Sequence, residues 1–414
     1  INLIFIICTL IYRSSCNGCL LLSPYIQNGS ASLARKLSEV SADEHCGLKS
    51  HSGYITVKEK YNSNLFFWFF PAMTAGTEAP WIIWLQGGPG FSSMVKSSLK
   101  YDYSVVFLDN PVGAGFSFTE DDKGYPNNED DVGEQMLDFL CQFLQMFPEM
   151  RDLPLFIAGE SYGGKYVPAL AIQIHRHKTQ CPVNLRGITI GNGLIDLRSM
   201  MHYSELCKSL GLLEGPELDR LRVLEQSVVQ LIDEKRMIDA ANKFNETVEY
   251  IKKQSGVSIY NFNQDPVSSA PDFEAYINKP EVRKIIHVGN VTFNYNNQLV
   301  YEKMLPDIAN TTKPFVEELL EHYGVMSYSG QMDIILAYSL SKHTYTELHW
   351  SRKEEYERAP RERLAMSSGG AVVAYKKAGG NFVEVLIRRA GHMVPKEQPV
   401  VAKFILDLFI SEYK

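Results

Sequence analysis

Short apolar runs alternate with helix-spaced apolar positions along the first half of the chain. Trp81-Ile82-Ile83-Trp84-Leu85, residues 103–108, Leu155-Phe156-Ile157-Ala158 and residues 186–190 carry few polar interruptions, so each reads as a buried strand. Between them, Val132, Met136, Phe139, Leu140, Phe143, Leu144 and Phe147 recur at helical spacing until Pro148 stops the run. Val167, Leu170, Ala171 and Ile174 mark another helix. Strands apolar on both faces, alternating with helices, predict an α/β fold with a mostly parallel sheet covered on both sides. Ahead of this block, residues 54–57 and 65–70 flank Tyr61-Asn62-Ser63-Asn64 and predict a hairpin.

From residue 194 to 310 the pattern changes to charged helical sequence, strongest over 221–242, with loop-like stretches such as 254–273. This segment reads as a cap inserted between two parts of the core, 20–193 and 311–414. The second part resumes with a strand at 325–328 and a hairpin of 371–375 and 382–387 around Ala378-Gly379-Gly380-Asn381. An amphipathic helix over 400–409 closes it.

Residues 1–12 are almost purely apolar and lead into Arg13-Ser14-Ser15-Cys16-Asn17-Gly18-Cys19. Residues 1–19 therefore read as a signal peptide lacking its charged start, with a buried strand or short anchor as the alternative. No other apolar run is long enough to span a bilayer. The expectation is a secreted or lysosomal protein with no membrane span once mature. Four sequons agree, at Asn28, Asn245, Asn290 and Asn310. Of seven cysteines, Cys8 would leave with the signal and Cys16 and Cys19 could; Cys141 reads as a buried thiol, and Cys181 with Cys207 as a candidate bridge.

Composition narrows the function. At 45% hydrophobic residues the chain is too apolar for disorder. A net charge of −7 gives no basic face for nucleic acid. No H-E-x-x-H motif or zinc-spaced Cys/His cluster is visible, so neither a metal nor another cofactor is expected.

Candidate chemistry begins at Gly159-Glu160-Ser161-Tyr162-Gly163, a G-x-S-x-G between a strand and a helix. That context predicts a nucleophile elbow, a tight turn presenting a serine hydroxyl at a helix N-terminus. The partners expected on such a fold come later in the order acid, then histidine. Asp333 in Ser329-Gly330-Gln331-Met332-Asp333 and His392 in Arg389-Ala390-Gly391-His392 both follow strands, where α/β active sites gather. Of the other histidines, His175 and His177 read as solvated, His45 and His51 as loop residues, and His287 as part of the cap.

The chain resembles the serine carboxypeptidase family, most closely its vitellogenic-like branch in animals. The shared stretches are Trp84-Leu85-Gln86-Gly87-Gly88-Pro89-Gly90, Asp109-Asn110-Pro111-Val112-Gly113-Ala114-Gly115-Phe116-Ser117, residues 159–168, Gly191-Asn192-Gly193, residues 329–334 and residues 391–395. The resemblance implies an α/β-hydrolase fold and a serine-type carboxypeptidase acting on peptides with a free C-terminus. It implies a triad of Ser161, His392 and Asp333, and an oxyanion hole of the Gly88 and Tyr162 amides. It implies capture of the substrate carboxylate by Gln86, Gly87 and a protonated Glu160, hence acid-favoured activity.

The resemblance also marks departures. Gln86 stands where the family commonly has Asn. Relatives place a few tens of residues between Gly90 and the strand before Asp109, including a Glu-x-Gly-Pro whose Glu binds the carboxylate. Here only residues 91–102 intervene, with no such Glu, and Phe91 replaces a frequent disulfide cysteine. Either a stretch was lost from the transcript or the cleft is open and carboxylate capture weakened. Two other functions remain open on the same fold: a catalytically feeble binding or storage protein, and an esterase.

Overall fold

The computed structural model describes residues 16–41, 48–73, 78–94, 102–265 and 272–414. Its eleven strands are β1 (Glu39–Val40), β2 (Ser50–Lys58), β3 (Ser63–Phe70), β4 (Trp81–Gln86), β5 (Ser104–Leu108), β6 (Leu155–Glu160), β7 (Leu185–Gly191), β8 (Gly324–Gly330), β9 (Glu362–Ala365), β10 (Val372–Gly379) and β11 (Phe382–Ile387). They form one sheet in the order β1-β2-β3-β5-β4-β6-β7-β8-β11-β10-β9. The run from β5 to β11 is parallel, and antiparallel strands close both edges.

The uninterrupted apolar runs follow from two covered faces. Along β4, Trp81, Ile83 and Leu85 enter one core cluster while Ile82 and Trp84 enter the other. This is the two-residue period of a strand with no wet side. The first cluster is covered by the helices Glu129–Met146 and Gly163–Arg176, the second by Pro399–Tyr413. Asn128 caps the first helix by accepting from Asp131 N–H at 2.8 Å, and Glu129, Asp130 and Asp131 suit its positive N-terminus. Among the described residues no helix is long and apolar enough to cross a membrane.

Between β7 and β8 run the helices Tyr203–Ser209, Gly215–Asp233, Met237–Ser255, Asp272–Ile277, Pro280–Ile285, Gln298–Ile308 and Lys313–Leu320. The helical pattern over 221–242 is not one helix. It breaks after Asp233, where Lys235 takes φ 61°. Arg236 N–H reaches back to Leu231 C=O and Lys235 N–H to Ile232 C=O, both at 2.9 Å. That pair of bonds is a Schellman stop, built here without the glycine that usually announces it.

Other expectations are corrected. Cys181 and Cys207 are not bridged. The Cys181 thiol contacts Cys141 instead, which lowers the Cys141 value below that of an ordinary thiol, while Cys207 is buried beside Glu225. Cys16 is disulfide-bonded to Cys19, and residues 17–20 pack against the chain near Val288. His51 lies in β2, not in a loop, with its ring against Phe147 at 4.9 Å. Burial, chiefly, pulls its value down to about 4. His175 is not solvated; it stacks on His322 at 4.4 Å. The signal reading of 1–19 lies, up to residue 15, outside the described residues, as do His45 and the stretch 95–101 of the short connection.

Candidate active site

Strands β6, β7, β8 and β11 lie side by side and parallel, so their C-terminal ends form one rim. Ser161 stands on that rim directly after β6, at φ 63°. A left-handed serine costs about 1–3 kcal/mol and persists only where its surroundings hold it. Here Ser161 N–H donates to Gly191 C=O at 3.0 Å, and Ser161 C=O accepts from Gly164 at 2.9 Å and Leu194 at 3.0 Å. The flanking glycines are required by contact: a Cβ on Gly159 or Gly163 would meet Leu85 O at 2.6 or 2.7 Å.

Asp333 follows β8 and is buried. Its Oδ2 lies 2.8 Å from His392 Nδ1 and accepts from Asn192 Nδ2 at 2.6 Å. Asn192 Oδ1 in turn accepts from Gly330 N–H at 3.1 Å. His392 follows β11 and is 2% exposed, so its imidazole meets protein on nearly every side. Burial pulls the imidazolium down, but the Asp333 charge and hydrogen bond, with Glu160 and Glu397, outweigh it and leave the value above normal. A proton on Nδ1, facing the carboxylate, leaves Nε2 as the basic atom. Among the described residues no hydrogen bond joins Ser161 Oγ to His392; this contact is commonly long in a free enzyme and tightens with substrate.

Gln86 and Glu160 end the neighbouring strands β4 and β6 in register. Gln86 Nε2 donates to Glu160 Oε1 at 3.2 Å, while Gln86 Oε1 and Glu160 Oε2 are buried without a hydrogen-bond partner. Burial raises Glu160 to about 7, against the pull of the His392 charge and the Gln86 bond. The carboxyl is therefore mostly neutral under acid conditions and able to donate. Gly87 presses its backbone on the elbow, since a Cβ there would meet Tyr162 N at 2.3 Å. Gly88 follows at φ 122°. Among the described residues, neither the Gly88 nor the Tyr162 N–H donates to a backbone carbonyl. Tyr162 is anchored from below: its hydroxyl donates to Asp307 Oδ2 at 2.7 Å, and the buried Lys165 Nζ lies 3.2 Å from the same oxygen.

The expected residues thus gather at one end of the sheet, but sequence reasoning missed their supports. Asn192 sits in a quoted family stretch, yet its bond to Asp333 was not foreseen. The sequence before residue 266 carries only a loop signal. It supplies Tyr260, whose C=O accepts from His392 N–H at 2.6 Å and whose ring lies 5.3 Å from the imidazole. Asn261 Nδ2 and Gly391 N–H both donate to Glu397 Oε2, at 2.6 and 3.0 Å. A Cβ on Gly391 would meet Tyr260 O at 2.3 Å, so glycine there was the available signal. His287 is absent from the group and bonds Ser52 on β2. Near Gly90, Phe91 packs edge-on against Tyr295 at 5.1 Å. The sequon residues Asn28 and Asn290 are exposed, while Asn245 and Asn310 are half-buried.

Residues 41–101 and 96–412 match the family model described as serine carboxypeptidase. The two pieces meet at 96–101, inside the short connection. The venom serine carboxypeptidase of Apis mellifera is 36% identical, over 97% of this chain and 92% of its own length. That alignment runs to 435 positions against 414 residues here, so the relative carries segments this chain lacks. The vitellogenic carboxypeptidase of Aedes aegypti is 37% identical over 95% of this chain and 89% of its own. Among solved structures, the prohormone-processing carboxypeptidase Kex1 of Saccharomyces cerevisiae superposes with a TM-score of 0.80 at 22% identity, covering 91% of this chain and 96% of that one. It shares the fold.

Proposed function

The chain belongs to the serine carboxypeptidase family, and on that premise we propose how its own residues remove C-terminal residues from peptides. Ser161 Oγ attacks the last peptide carbonyl while His392 Nε2 takes its proton. Asp333 holds the imidazole's orientation and stabilises the imidazolium. The Gly88 and Tyr162 amides stabilise the tetrahedral oxyanion; one such donor is worth about 2.7–4 kcal/mol. His392 then gives its proton to the leaving amine, and the C-terminal amino acid departs. Water, deprotonated by His392, attacks the acyl-enzyme and releases Ser161.

Exopeptidase action requires recognition of the free carboxylate. Neutral Glu160 donates to it, with Gln86 and Gly87 alongside. The observation that carries this reading is the buried Glu160 carboxyl, with Oε2 unpartnered, one residue before the nucleophile. An ionised Glu160 would repel the substrate, so activity favours acid. The broken match at 96–101 and the missing family glutamate favour weaker capture than in relatives.

The segment 194–310 serves as a cap over the core formed by 20–193 and 311–414. The apolar start, the four sequons and the venom origin named for a relative support passage through the secretory pathway to secretion or a lysosome. Asn28 and Asn290, being exposed, are the better glycan acceptors. The test compares an N-blocked peptide as free acid and as C-terminal amide, with fluorophosphonate labelling of wild type and Ser161→Ala. Cleavage of the acid over the amide, with labelling lost in the variant, is expected. Equal rates point to an esterase-like site, and no labelling of the wild type points to a binding protein.

A further inference from the structure

Outside the serine site, two imidazoles lie face to face. His202 immediately precedes the helix Tyr203–Ser209 and His343 sits on the helix Tyr338–Glu347. Their ring centroids are 3.8 Å apart and their planes 10° from parallel. Glu205, one turn beyond His202, brings Oε1 to 3.7 Å from His202 Nδ1. One ligating atom from each of the three residues lies within 4.8 Å of the others. Among the described residues no hydrogen bond occupies either ring.

The frame behind these side chains is fixed. Tyr203, next to His202, is fully buried and donates to Ile335 C=O at 2.6 Å. Thr344, next to His343, is buried with its hydroxyl 2.7 Å from that of Ser199.

We propose that His202, Glu205 and His343 bind a zinc ion, which ties the segment between β7 and β8 to the helix that follows Asp333. Two imidazoles and a carboxylate are a donor set that suits Zn2+ and leaves a fourth position for water. Tetrahedral bonds of about 2.0–2.1 Å set ligand atoms roughly 3.3 Å apart. Parallel rings aim their lone pairs along parallel planes, so binding turns the His202 ring out of the stack, and the side chains of His202 and Glu205, 40% and 73% exposed, have room for that turn. The ligands come from distant parts of the chain, so no sequence spacing announces them. No step of the serine mechanism uses the site.

The full chain, freed of metal with a chelator, is titrated with Zn2+ by calorimetry at neutral pH. One equivalent should bind saturably, and His202→Ala and His343→Ala should each weaken binding by at least about tenfold. With Cu2+ as the probe, electron paramagnetic resonance should show two imidazole nitrogens in wild type and one in either variant. Saturating Zn2+ should raise the Tm of wild type and leave the double variant unmoved. Glu205→Gln tests the third ligand from an exposed position without disturbing either ring, and must also weaken binding. No saturable binding, equal binding by wild type and the double variant, or an unchanged affinity in Glu205→Gln overturns the proposal.

Discussion

Replacing Glu160 by Gln separates carboxylate capture from bond cleavage. Glutamine keeps the size of the side chain and an N–H donor, but it cannot ionise. In wild type the carboxyl titrates at about 7 because burial penalises its anion. Below that value the neutral form dominates and the substrate carboxylate meets a donor. Above it, each pH unit lowers the neutral fraction about tenfold, equivalent to about 1.4 kcal/mol of lost binding. Wild-type kcat/KM on a free-acid peptide should therefore fall about tenfold per unit above pH 7. On the proposed mechanism the acid limb belongs to His392, which must be neutral to accept the Ser161 proton. Glu160 and His392 feel each other's charge, so both limbs are properties of the pair. Glu160→Gln should abolish the alkaline fall. It should leave the acid limb close to its wild-type position, because Glu160 is already neutral there. The assay is kcat/KM against pH for one N-blocked peptide as free acid and as amide. An alkaline limb that persists in the variant, or that appears equally with the amide in wild type, refutes the assignment of Glu160.

Two further substitutions probe a support of the proposed triad and a buried carboxyl elsewhere in the core. Asn192→Ala removes the 2.6 Å bond to Asp333 Oδ2. A hydrogen bond to a charged group is worth about 1.5–3 kcal/mol, so kcat should fall about tenfold or more with KM little changed, and an unaltered kcat would show that Asp333 needs no such support. Glu129 is buried with both carboxylate oxygens unpartnered, and burial raises it well above 4.5. Because its folded value exceeds its unfolded one, it costs nothing below about pH 4.5 and destabilises the fold as pH rises. Urea unfolding of Glu129→Gln should match wild type at pH 4 and exceed it by about 1.4 kcal/mol per pH unit above 4.5, up to the folded value; a difference independent of pH refutes this.

The legible parts of the fold were those where one physical constraint acts along the chain. β4 and β6 are buried on both faces, so their apolar runs admit no other reading. The elbow around Ser161 was legible because tight backbone contacts demand glycine at 159 and 163. The order of Asp333 and His392 after it then followed from the strands that precede them. What escaped depends on contacts between distant segments or on backbone atoms. The Lys235 helix stop has no glycine to mark it, and the carbonyl of Tyr260 is the same whatever its side chain. The stacked pair of His202 and His343 looks like two incidental histidines until helices from separate parts of the chain bring them together. Order along the chain suggests Cys207 as the partner of Cys181, whereas packing places Cys181 beside Cys141.

The main-chain bond from His392 to Tyr260 makes the excursion between β7 and β8 a mooring for the imidazole as well as a cover. A cut near residue 260 would slacken the imidazole and also the turn around Asp333, since Met332 and Ile334 bond Phe262 and Ile259, while leaving Ser161 in place. Nicks among the outlying helices Gly215–Asp233 and Met237–Ser255 would leave that mooring whole. Swapping this excursion for a relative's therefore has to import a carbonyl at the same spot. Otherwise the graft yields a well-folded enzyme with an idle base.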